Sequence, residues 1–140
     1  MTQEEITEGN KLIAEYIGGK FDGYGWEFKD SNIEFFKNLT FVYYKSQELW
    51  FHQSWYWLMP LVENIINENN SAVELCGNNY LLGSKYFCSI LPDQTNSQSA
   101  NSENSLIEAT YMAVIKYLKW YNSQIKEDSC DGMIDWRETQ

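Results

Sequence analysis

His52 is the sole histidine of this chain, and its position bounds much of the chemistry the sequence can offer. A nucleophile–histidine pair would have to use it as the base. Its serine or cysteine partner would come from the fold, because no G-x-S-x-G pattern surrounds any serine. The stretch Phe51 to Pro60, FHQSWYWLMP, surrounds His52 with aromatic rings and no carboxylate. A histidine hydrogen-bonded or solvated just ahead of a helix is therefore the favoured reading. The alternative is a small enzyme or ligand-binding site that uses His52 with a carboxylate in a pocket walled by Trp55 and Trp57. Cys76, Cys88 and Cys130 have neither C-x-x-C spacing nor an H-E-x-x-H partner, so no metal site is assigned. Their odd number reads as reduced thiols of an intracellular protein. The acid pairs Glu4-Glu5 and Glu127-Asp128 lie in polar surroundings where solvated charge explains them. GGKFDGYG at 18–25 is neither a phosphate loop nor a dinucleotide fingerprint, and reads as a helix stop followed by a turn. No catalytic residue, metal ligand or cofactor follows from these patterns. His52, Trp55, Tyr56 and Trp57 are carried forward as a candidate binding surface.

Twenty acidic residues against ten basic ones give a formal net charge of −10, and the bases are scattered singly between Lys11 and Arg137. Phosphate backbones and anionic membrane surfaces need clustered positive charge, so direct binding to either is disfavoured. Six Trp and ten Tyr could stack on bases, but stacking proteins set their rings beside a positive groove. The acidic balance keeps one further reading open, a nucleic-acid mimic or anti-defence inhibitor, which requires acids from distant segments to converge on one face. The opening MTQEEITEGN lacks the basic and apolar pattern of a secretion signal, and the apolar run from Trp55 to Val62 is too short to span a bilayer. A cytoplasmic protein is expected.

The elements that would position these residues are legible from spacing. Thr2 and Glu5 form a capping-box pattern, and Ile6, Leu12, Ile13, Tyr16 and Ile17 recur at helical spacing, predicting a helix over 2–17 stopped by Gly18-Gly19. Tyr24, Trp26 and Phe28 alternate with Gly25 and Glu27 as in a half-buried strand, and LTFVYY at 39–44 reads as a second strand. Leu58, Leu61, Val62, Ile65 and Ile66 make a stripe for a helix from Ser54 to Asn67–Asn70. Pro60 requires that helix to start late or to bend. AVELC at 72–76 and KYFCSIL at 85–91 read as a hairpin or meander, and 92–104 as an exposed polar loop. Ser105 with Glu108 predicts a second capping box opening a helix that runs to about Asn122, followed by a loose tail over 126–140. This order contains no βαβ repeat and no linker. It points to one α+β domain of two or three layers, with about three helices packed on a mainly antiparallel sheet.

Two stretches, FHQSWYWLMPLVENI and SLIEATYMAVIKYLKWYN, resemble small uncharacterised proteins encoded by Bacteroidetes-type bacteria and their phages. The first shares an aromatic-His-x-Ser-Trp-x-Trp-Leu-Met-Pro run through His52, Ser54, Trp55 and Trp57 to Pro60. The second shares Ile107 to Tyr111, Ala113, Val114 and Lys119 to Asn122, and NKLIAEY near the N-terminus also fits. Tyr56 stands where an acidic residue would be expected between the tryptophans, which weakens a carboxylate role there. The resemblance implies origin and fold continuity, as in a phage-associated α/β sandwich domain, and carries no reaction. The functional expectation is a non-enzymatic accessory protein whose partner is a protein, with a homodimer left open.

Overall fold

The computed structural model describes the backbone of residues 1–138 other than 22, 24, 38–48, 70, 80–83 and 93–95, and the same residues' side chains other than 69, 76–79, 84 and 126–138. The described chain runs α1 (Gln3–Tyr16), β1 (Lys20–Phe21), β2 (Trp26–Glu27), α2 (Glu34–Lys37), α3 (Trp55–Asn69), β3 (Ala72–Asn79), β4 (Ser84–Leu91), β5 (Gln98–Ser102) and α4 (Leu106–Glu138). β1 pairs antiparallel with β2, and β3, β4 and β5 form a second antiparallel sheet in that order. The chain is α+β, with helices packed on the three-stranded sheet.

α1 begins and ends as its sequence dictates. Thr2 Oγ1 accepts from Glu5 N at 3.1 Å while Glu5 Oε1 accepts from Thr2 N at 2.8 Å, so the capping box satisfies two donors that a helix start would leave open. At the other end Gly18 N donates to Glu15 O and Gly19 N to Ala14 O, a Schellman closure. Its turning residue, Gly18, sits at φ 88°, where a side chain would be strained. In and just after β2, Trp26 and Phe28 are buried and Glu27 is partly exposed, as the expected alternation has it, but Gly25, expected on the outer side, is buried; Tyr24 lies outside the described residues. The strand expected at 39–44 lies outside them as well.

α3 starts at Trp55 and contains Pro60, so of the two expected alternatives it does not take the late start. The missing N–H falls in the second turn and would otherwise have bonded the carbonyl of Tyr56. Leu58, Leu61, Val62 and Ile65 are buried, while Ile66 is exposed at the edge of the predicted stripe.

The described residues of the segment expected as an exposed loop over 92–104 do not form one. They contain β5, which lies beside β4 in the register Cys88↔Ala100 and Ser89↔Ser99 with Ala100 and Ser102 buried. QSANS holds no β-branched or aromatic residue, so intrinsic preference does not make this strand. Its neighbours do. Ser89 Oγ lies 3.1 Å from Ser99 Oγ and 3.0 Å from Ser97 Oγ, and Lys116 Nζ on α4 donates to Ser99 O at 2.8 Å.

α4 is longer than its stripe predicts, continuing past Asn122 through the expected tail to Glu138. Its cap also differs from the predicted box. Ser105 Oγ accepts from Glu108 N, but Glu108 Oε1 turns to Ser102 Oγ at 2.6 Å and Asn104 Nδ2 at 3.3 Å, which ties the end of β5 to the start of α4. The buried apolar residues form one cluster drawn from α1, β2, α2, α3, β4, β5, α4 and connecting residues that include Phe28, Ile33, Leu49 and Phe51. Tyr111, Tyr117, Phe28, Phe36 and Phe51 are among its largest fully buried members.

Candidate functional site

The stretch 51–60 is built by a turn feeding a helix. Gln53 N and Ser54 N donate to Trp50 O, and Trp57 N and Leu58 N then donate to Ser54 O, which starts α3. Helical rotation of about 100° per residue splits the three consecutive rings between two sides. Trp57 turns inward, 5% exposed, and lies edge-on to Phe51 at 5.2 Å and near Phe36 at 6.0 Å. It is a core residue, so the candidate binding surface His52, Trp55, Tyr56 and Trp57 is not one surface. Trp55 and Tyr56 turn outward, at 37% and 74% exposed.

Two further exposed residues that the sequence did not single out lie close by in the chain. Trp50 is 49% exposed just ahead of the turn, and Met59 is 40% exposed four residues after Trp55 on α3. Tyr56 is also held in place, because the ring of Phe35 on α2 meets it edge-on at 4.9 Å. Met59 was recoverable from helical spacing. Trp50 and Phe35 carried no comparable signal, since a lone aromatic outside a periodic run does not reveal which way it turns.

His52 turns away from this rim. Its ring meets Tyr111 of α4 edge-on at 5.9 Å, and its Nδ1 is buried with no hydrogen-bond partner among the described residues. Burial disfavours the charged imidazole and lowers its pKa below the usual histidine value. Beside it runs a buried polar chain. The Tyr111 hydroxyl lies 3.0 Å from Asn10 Oδ1 and 3.1 Å from Ile6 O, and Asn10 Nδ2 donates to Leu49 O at 2.9 Å. Burial also raises the pKa of the Tyr111 phenol, which keeps it a neutral donor. Gly9 permits the arrangement, because a Cβ there would collide with the Tyr111 hydroxyl. Among the described residues no carboxylate, thiol or hydroxyl is hydrogen-bonded to the imidazole, so the geometry assembles no nucleophile–base pair.

On the outer side of Tyr111, α1 and α4 border a cleft of about 200 Å³ whose lining includes Leu12, Met112, Ile115, Glu8 and Lys119. This is below the size of most small-molecule sites. Cys88 is fully buried in β4, and among the described residues no three of His, Cys, Asp and Glu gather as metal ligands would. No described helix is long and apolar enough to cross a membrane. Set against known protein families, curated proteins and solved structures, the chain matches none of them.

Proposed function

We propose that the protein is a non-enzymatic interaction module whose contact surface is the rim of Trp50, Trp55, Tyr56 and Met59 and whose partner is another protein. The single observation that carries this reading is the exposure of four large apolar side chains within ten residues of sequence, the most exposed of them, Tyr56, braced by Phe35. Tryptophan, tyrosine and methionine are enriched in the buried centres of protein interfaces, and a braced ring loses little further freedom on binding. The resemblance to phage-encoded and Bacteroidetes-type proteins supports an accessory role in the cytoplasm of a bacterial host, as a phage or mobile-element product.

The test compares the wild-type chain with a Trp50→Ser/Tyr56→Ser double variant, both confirmed folded by circular dichroism. Partners retained from the native host are compared, and self-association is measured by light scattering. A partner, or a second copy, held by the wild type and lost by the variant is the expected result. Equal retention and equal mass for the two proteins would overturn the proposal.

A further inference from the structure

At the far end of α3 from the aromatic rim, the ends of α1 and α3 and the middle of α4 enclose an open cleft of about 460 Å³, within the size range of small-molecule sites. Its walls combine two kinds of group. Tyr16 of α1 and Tyr121 of α4 stand at right angles with ring centroids 5.5 Å apart, and the carboxylates of Glu15 and Glu68 lie with them among the lining residues. The amides of Asn32 and Asn122 complete the polar lining.

Glu68 is fixed in this setting by neutral donors. Tyr121 OH lies 3.4 Å from its Oε1, and Asn64 Nδ2 lies 3.2 Å from its Oε2 and 3.4 Å from Tyr16 OH. Among the described residues no lysine or arginine lines the cleft or comes within 4 Å of Glu15 or Glu68. The phenols stay neutral, because burial and the nearby Glu68 charge raise the pKa of both Tyr16 and Tyr121. The cleft therefore pairs uncompensated negative charge with a corner of two electron-rich rings. Metal ions prefer a compact set of oxygen ligands, whereas an organic cation uses both features at once, a π-surface and a carboxylate.

We infer that this cleft binds an organic cation, an ammonium or guanidinium group seated against Tyr16 and Tyr121 and neutralised by Glu15 and Glu68. The group can belong to a free small molecule or to a lysine or arginine side chain of a basic peptide, since the recognising chemistry is the same. The site is separate from the aromatic rim and does not depend on it. Tyr56 and Glu68 are twelve positions apart on α3, about 18 Å along its axis.

The test titrates the full chain with arginine amide, tetramethylammonium and a short arginine–glycine peptide, following the aromatic proton resonances of Tyr16 and Tyr121. Saturable shifts of both rings are expected with at least one probe. The Glu15→Gln/Glu68→Gln variant should bind about tenfold more weakly. Both carboxylates are exposed, so this variant keeps the fold. A Glu4→Gln/Glu8→Gln variant serves as the control for general attraction to an acidic protein and should bind as the wild type does. Saturation by arginine amide or tetramethylammonium alone assigns a small cation, and saturation only by the peptide assigns a basic segment. Absence of saturable shifts with all three probes, or equal weakening in both double variants, would overturn the assignment.

Discussion

At its first turn α3 buries Trp57 against Phe36 and Phe51, whereas near its last turn Asn64 and Glu68 reach the hydroxyls of Tyr16 and Tyr121. The inward face of the first end is dry, and its contribution scales with the apolar area it removes from water. The second end is wet, and its hydrogen bonds replace bonds that water would supply nearly as well. One helix thus spends its sequence in two ways: the aromatic end fixes the fold, and the polar end leaves charge available for a ligand.

The largest effect that could break this comparison is at Trp57. Trp57→Ala should cost about 3–5 kcal/mol in a urea titration, since the rings around it cannot close the cavity completely. A loss below about 1 kcal/mol would show that the first turn of α3 is not anchored in the core. Next in size is Tyr111→Phe, which removes the hydroxyl joining α4 to Asn10 and the Ile6 carbonyl. It should cost about 1–3 kcal/mol, because the Asn10 acceptor is buried and the Ile6 carbonyl partly so. Unchanged stability would mean that the polar chain beside His52 is replaceable by packing alone.

His52 gives a smaller, pH-dependent effect. Its folded pKa is depressed, so below about pH 6.5 the unfolded chain takes up the proton more readily than the folded one. Its contribution is complete above that pH and is lost as pH falls through the folded value. His52→Gln should flatten the fall in stability on acidification below pH 6.5, and parallel profiles for the two proteins would count against partial burial as the cause of the lowered pKa. The smallest effects belong to the exposed positions. Tyr56→Ala and Glu68→Ala should each change stability by less than about 1 kcal/mol, so that any loss of binding they cause can be read as binding.

The parts of this structure legible in the sequence are those where local chemistry and long-range packing agree. Thr2 with Glu5, the Gly18-Gly19 stop and the Leu58–Ile65 stripe each specify their element within a few residues, and each is found in place. The rings at 55–57 were legible as a helix start but not as a surface. Their division into inward Trp57 and outward Trp55 and Tyr56 depends on where the helix begins. β5 was illegible because its serines and asparagine favour turns when considered alone, and only β4 and α4 make them a strand. The tyrosine cleft was illegible for a further reason. Its residues come from α1, the stretch between β2 and α2, α3 and α4, over a hundred positions of chain, and no one segment carries the pattern.

That borrowed strand has a consequence for the order of events in folding. A segment without strand preference gains nothing from extending until β4 offers it partners and Lys116 of α4 offers a donor, so Gln98–Ser102 should join after the barrier has been crossed. Substitutions there, such as Ala100→Gly, should then speed unfolding while leaving the refolding rate nearly untouched, a division that stopped-flow measurements in urea would reveal and that slowed refolding would contradict. The lifetime of the native state, more than the speed of reaching it, is what β5 controls.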